Sequence, residues 1–330
     1  MPEIYFYLPP SLFPSDLPQS ATENWPGFGL GIYAWTIQTY LHLRNSNFPC
    51  HLTSELPDAG IVFAHHNVLR SHPIKPSKNI LLIDIKAEGS KYPFAPLHIV
   101  QNPTEVQKDT SCYFLPHWPQ PGLLPREHRD RVETVAFFGH ADNLAPELQH
   151  PDFANQLASM GLQWHAIANR NHWTDYQTLD AAWHDYRTVD AIVAVRSFTT
   201  RHGFPNKPAT KLYNSWLSGV PALLGVESAY RSVGTPGWDY IEVKSVSEVF
   251  SALSRLQGDR EFYQRLVANG HKKAQIITFD RILGQWCEFV KKVAIPAYFN
   301  WQELPDLWRY LQISRQVSSS YITKVKNKLF

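Results

Sequence analysis

The sequence predicts an α/β fold made of two Rossmann-like domains, and three observations predict it. Short apolar runs alternate with helical stretches along most of the chain, polar residues gather just after those runs, and a proline-rich, charged stretch follows residue 115. Length agrees, since 330 residues exceed the ~250–300 at which a single hydrophobic core stops growing.

Charged residues make up 18% and apolar residues 44%, an ordinary globular composition rather than a disordered one. A net charge of +2 gives no global electrostatic case for nucleic acid. The aromatic share of 13%, with 11 Trp and 15 Tyr, suits either a Trp-rich core or the grip on flat amphipathic ligands such as sugars. Cys50, Cys112 and Cys287 are far apart and odd in number, which suits a reducing cytosol rather than a disulfide framework. The first residues lack a basic start and an uninterrupted apolar stretch, so they read as a strand and not a signal peptide. No run approaches the ~20 apolar residues of a membrane helix, and the expectation is a soluble, cytoplasmic protein.

Taken in order, Ile4–Leu8 is the first strand. A loop rich in proline leads to Gly27-Phe28-Gly29-Leu30-Gly31, and Ile32 to Leu43 reads as a helix. Glycines between strand and helix suit close backbone approach to a ligand, or a plain flexible loop; their spacing is not the dinucleotide fingerprint. Strands follow at Gly60–Ala64, Ile80–Ile85 and His98–Val100, ending respectively in His65-His66-Asn67, in Asp84 with Lys86 and Glu88, and in Gln101-Asn102. The carboxyl ends of such strands face one side, where open α/β sheets place ligands. Residues 1–115 form the expected first domain, and 116–132, with Pro116, Pro119, Pro121 and Pro125 among charges, the linker.

Residues 133–280 form the expected second domain. Its strands are Val135–Phe138, Gln163–Ala168, Ala191–Val195 (after a polar helix ending near Asp190), Ala222–Leu224 and Tyr240–Val243. Helices are expected near Phe153–Met160 and over Val246–Leu256 and Arg260–Ile277. In residues 281–330, Ile282–Val293 is an amphipathic helix ended by Pro296, followed by Trp301, Trp308 and Tyr310. The tail sets Lys324, Lys326 and Lys328 among apolar residues, which suits weak contact with an anionic membrane or a plain solvated tail.

The densest signal is residues 206–229. Pro208 suits a first helical turn. Leu212, Trp216 and Leu217 make an inward stripe, Gly219 fits a left-handed C-cap, and Pro221 forbids continuation. Lys207 and Lys211 fall in the expected first turn, where the helix dipole disfavours cations unless an anion is bound. Solvated lysines on a loop–helix junction are the plain alternative.

This stretch resembles the donor-binding segment of GT-B glycosyltransferases, whose second domain carries a helix ending in Gly-x-Pro before a strand. The resemblance covers roughly residues 133–290 well and the first half in outline. It implies two Rossmann-like domains with a cleft between them and a C-terminal helix crossing back to the first. It also implies transfer from a nucleotide-sugar donor to a carbohydrate, lipid-linked or small-molecule acceptor. Many retaining members carry two glutamates separated by seven residues. The matching positions here are Asn206 and Asn214, amides that hydrogen-bond hydroxyls but bring no carboxylate charge. A comparable glycine loop lines the cleft in these enzymes, which places Gly29, Gly31 and His66 there.

The chemistry narrows by elimination. No His-Glu-x-x-His, cysteine cluster or Asp-x-Asp is present; His140 with Asp142, or His65 with His66, could ligate a metal, but strand-end histidines more often hydrogen-bond. A nucleophile elbow and a P-loop are also missing. A diphosphate leaving group without metal or other cofactor needs protein charge, and Arg196, Lys207 and Lys211 are the candidates. For Arg196 a structural ion pair is the alternative. Glu227 could accept from ribose or sugar hydroxyls, while Ser228 and the Ala229 N–H could meet phosphate. An inverting reaction needs a base from the first domain, for which His65 and Asp84 are nominated. The expected function is a metal-independent glycosyltransferase; the alternatives are a nucleotide-sugar epimerase and a non-catalytic glycan- or nucleotide-binding protein.

Overall fold

Runs of Val, Ile, Leu and Phe buried on both faces produce two all-parallel sheets in the computed structural model, which describes residues 1–108, 110–127, 131–169, 176–177, 182–200 and 203–309. The chain divides into two units. The first comprises Met1–Ala21, Gly31–His117 and the described residues from Asp280 onward; the second comprises Thr22–Leu30 and the described residues of Trp118–Phe279. Each is a Rossmann-like α/β unit, the fold class the sequence predicts.

The first unit contains β1 (Ile4–Tyr7), α1 (Gly31–Trp35), α2 (Ile37–Asn45), β2 (His51–Thr53), β3 (Gly60–His65), α3 (His66–Ser71), β4 (Ile80–Ala87), β5 (Leu97–Val100) and β6 (Cys112–Phe114). Its sheet runs β2-β1-β3-β4-β5-β6. The single helix expected over Ile32–Leu43 is two, parted at Thr36, whose hydroxyl donates to the Ile32 carbonyl within the same turn. Strands β2 and β6 were not expected, because three residues are too few to show an alternation. Strand β4 continues to Ala87, past the expected end at Ile85.

The second unit contains β7 (Thr134–His140), α4 (Pro146–Gln149), α5 (Pro151–Ser159), β8 (Gln163–Asn169), β9 (Ala191–Ala194), α6 (Thr210–Ser218), β10 (Ala222–Leu224), α7 (Ser228–Val233), β11 (Ile241–Glu242), α8 (Val246–Gly258) and α9 (Arg260–Ala274). Its sheet runs β11-β10-β9-β7-β8. Leu212 and Trp216 anchor α6, both buried, and the indole N–H of Trp216 donates to the Asp239 carbonyl at 3.1 Å. Gly219 ends the helix at φ 69°, in the left-handed region, as the sequence predicts. The helix starts at Thr210 rather than Pro208. Lys207 N–H donates to the Phe204 carbonyl in a turn ahead of it (3.0 Å), so Lys211 alone of the two lysines lies in the first turn.

The expected linker is not a free tether. Its backbone donors find carbonyls: Leu124 N–H bonds His184 O, Tyr186 N–H bonds Leu124 O, and Arg126 N–H bonds Ser218 O, at 2.9 to 3.0 Å. Residues 128–130 of that stretch, and most of the polar helix expected before Asp190, lie outside the described residues.

From Asp280 the chain belongs again to the first unit. Helix α10 (Phe279–Phe289) passes through a π-helical stretch, Val290–Ala294, into α11 (Ile295–Glu303). Pro296 therefore does not end the helix: it sits in the first turn of α11, where a missing N–H is tolerated. Trp286 lies against Phe6 and Phe63, with ring centroids 6.2 and 5.9 Å away, and Trp301 Nε1 donates to the Ser77 carbonyl at 2.8 Å. Tyr310, Lys324, Lys326 and Lys328 lie outside the described residues. Among the described residues no helix is long and apolar enough to cross a membrane.

Candidate functional site

Strand β7 pairs with β8 on one side and β9 on the other, so consecutive connections leave it in opposite directions. Such a switch point opens a crevice outside the carboxyl ends of the strands. Arg196 stands just past the end of β9, and Glu227 just past β10. An Arg196 Nη1–Glu227 Oε2 ion pair joins them, and Arg196 Nε donates to Asn143 Oδ1 at 3.1 Å. The two side chains are 11% and 1% exposed, and the guanidinium lies 5.8 Å from the Phe204 ring centroid. Arg196 is thus held in the ion pair that was its alternative reading. Asn143, which sequence reasoning missed, sits in the polar run His140-Ala-Asp-Asn after β7.

Lys211 reaches the same edge from α6. Its ammonium donates to the Phe138 carbonyl near the end of β7 and stands 5.4 Å from the Phe137 ring centroid. Gly139, at φ 156°, allows this: a Cβ there would come within 2.8 Å of Lys211 Nζ. Other candidates point elsewhere. Asn214 Nδ2 donates to Gln120 Oε1, and its side chain also meets the Tyr186 hydroxyl, whose pKa burial raises. Ser228 N–H donates to the Gly203 carbonyl at 2.8 Å and Ala229 is fully buried, so neither backbone group is open as expected.

In the first sheet the switch point falls between β1 and β3, since β1 pairs with β2 on its other side. His65 closes β3 there and caps α3, its Nδ1 accepting the Asn67 N–H at 3.2 Å. The ring proton is thereby placed on Nε2, which is buried and has no partner among the described residues. The position a Gly31 Cβ would take is 3.8 Å from that nitrogen. Burial lowers the His65 pKa to about 3, against the raising effect of Asp84 and with help from His66 and His117. The ring is neutral and offers a donor.

Two further groups line this edge. His66, buried, opens α3 with its ring against Gly89. His117 lies 4.4 Å from the Trp35 ring and shares a 2.9 Å hydrogen bond with Gln101 Oε1; burial lowers its pKa to about 4. Sequence reasoning missed His117 because it read the stretch after β6 as linker. Asp84 is a correction. It lies inside β4 rather than at its end, fully buried, with Oδ2 accepting from His98 Nδ1 and the Tyr92 N–H, both at 2.9 Å. That carboxylate ties strands together and is not presented to an acceptor. Gly29 falls in a 3-10 turn counted with the second unit, while Gly31 belongs to the first. Among the described residues no three His, Cys, Asp or Glu side chains converge as metal ligands would.

No known family model matches the chain, and no curated protein matches its sequence. Among solved structures it is similar to TarM, with TM-score 0.49 and 7% identity over 76% of this chain. It is similar to sucrose-phosphate synthase from Thermosynechococcus elongatus, with TM-score 0.46 and 11% identity over 80% of this chain and 78% of that one. It is also similar to Anabaena HepE, solved with UDP and glucose, with TM-score 0.49 and 10% identity over 89% of this chain and 100% of that one. The chain spans 57% of the TarM chain's length. Likeness at this level does not bear on substrate or activity.

Proposed function

We propose that the chain is a metal-independent glycosyltransferase that takes a sugar from a nucleotide-sugar donor to a hydroxyl of a carbohydrate, lipid-linked or small-molecule acceptor. The carrying observation is the Arg196–Glu227 pair, with Asn143 and Lys211, at the switch point of the second sheet. A buried carboxylate fixed there by a guanidinium is poised to accept from ribose or sugar hydroxyls. Breaking the sugar C1–O bond leaves a nucleoside diphosphate, whose growing charge needs nearby cations. Lys211 supplies one by exchanging the Phe138 carbonyl for a phosphate oxygen, and Lys207 a second from the turn ahead of α6. No cofactor takes part.

In the first unit His65 donates from Nε2 to a sugar oxygen. Acting as base would require moving its proton to Nδ1 and giving up the Asn67 N–H, so its role is to position. The setting is the cytoplasm, with the basic tail meeting anionic lipid weakly.

A thermal-shift screen of UDP, GDP, ADP, CMP and their sugar conjugates, run with a chelator, tests the reading. A ligand at a hundred times its dissociation constant stabilises by ~2.7 kcal/mol, so one nucleotide should stand out, and Lys211→Ala should shrink its shift. A protein that none of them shifts would sink the donor site. Release of free nucleoside diphosphate with an acceptor then separates transfer from epimerisation.

A further inference from the structure

At the amino-terminal edge of the second sheet, away from the switch-point crevice, lies a separate cavity of about 330 Å³. It is bounded by Val132 just before β7, by Gly219 just before β10, and by α8 and α9. Its charged lining is of one sign: Arg126, Arg131, Arg260 and His271 border it and no Asp or Glu does. Arg126 is already neutralised, its Nη2 lying 2.8 Å from Asp190 Oδ1, and its guanidinium is stacked 5.3 Å from the Tyr263 ring centroid. The Tyr263 hydroxyl donates to the Asp190 carbonyl at 2.9 Å, so ring and guanidinium form a fixed flat wall. Leu256, buried, and Val267 supply an apolar floor. Arg131 makes no ion pair with a described residue, which leaves its fork for a ligand.

We infer that this cavity binds a phosphate monoester carried on a compact apolar or aromatic body. The volume falls in the ~300–1,000 Å³ range of small-molecule sites. Arginine forks match phosphate oxygens in geometry as well as charge. The phosphate would meet Arg131 and Arg260, and the body would lie on Leu256, Val267 and the edge of Tyr263. The site is independent of the transferase reading, because none of its residues belongs to the β7–β9 crevice.

Phenyl phosphate is a fitting probe, with inorganic phosphate and phenol as its two halves, titrated calorimetrically into the full chain. Phenyl phosphate should saturate and bind tighter than either half. The double variant R131A/R260A should weaken it by roughly tenfold for each arginine removed. Val267→Trp, which fills the floor, should weaken phenyl phosphate while sparing inorganic phosphate. R196A, at the other edge, should leave the affinity unchanged. Equal affinity in R131A/R260A, no saturable binding by the wild-type chain, or loss of binding in R196A would each overturn the assignment.

Discussion

Acidification from pH 7.5 to 5.5 should destabilise the first unit through buried imidazoles. Burial holds His65 at about 3 and His117 at about 4, whereas the unfolded chain presents both near ~6.5. Folded pKa values below the unfolded ones mean that, as pH falls through the unfolded value, the unfolded state takes up protons the native state refuses. Stability is therefore lost on acidification, starting near the unfolded value and levelling off only below the folded ones. By proton linkage each ring costs ~1.4 kcal/mol between those two pH values, about 3 kcal/mol for the pair. His42, half-buried and lowered to about 4 by the same cause, adds to this. The assay is urea unfolding read from histidine ring NMR signals, which separates this unit's transition from the other's. His117→Gln, which keeps an amide beside Gln101, should cut the pH-dependent loss by ~1.4 kcal/mol. An identical loss in wild type and His117→Gln, or ring signals of His65 and His117 that titrate near their ordinary value, would refute the reasoning.

Other substitutions separate structural from functional roles. Glu227→Gln leaves the Arg196 charge without its counter-charge, and the melting temperature should report a loss of ~3–5 kcal/mol. Gly139→Ala meets both a left-handed backbone and Lys211 Nζ; it should cost ~1–3 kcal/mol in denaturant unfolding and displace the lysine, weakening the nucleotide identified by the thermal-shift screen. Trp216→Ala should cost ~3–5 kcal/mol by calorimetry. Asp84→Asn should lower stability while leaving donor affinity unchanged; lost turnover at unchanged stability would instead restore Asp84 as the base.

What the sequence revealed depended on local punctuation. The helix–turn–strand of residues 206–224 was legible because Gly219 and Pro221 mark its turn, and β10 has the expected bounds. Asp84 was misplaced because a charged residue was taken to mark a strand end. Strand β4 instead carries Asp84 and Lys86 inside the sheet, matched by His98 and by Glu105 at 2.5 Å. Those partners lie 14 and 19 positions downstream, beyond any local pattern. Arg196 and Glu227 were each identified from strand ends, but their pairing, which determines what either can bind, spans the same kind of distance. Pro296 misled for a different reason: a proline stops a helix only where an N–H is needed.

The wider turn at Val290–Ala294 acts as a counting device. A π-helical turn holds one residue more than an α-helical turn would, and removing one residue would let the ladder relax to α geometry. Everything downstream would then rotate by ~100° about the helix axis, carrying Tyr298 and Trp301 off their buried faces. The number of residues here, more than their identity, indexes the last helix to the first sheet. Deletion of Lys291 should therefore red-shift the tryptophan emission as Trp301 leaves Ser77, where Lys291→Ala should not.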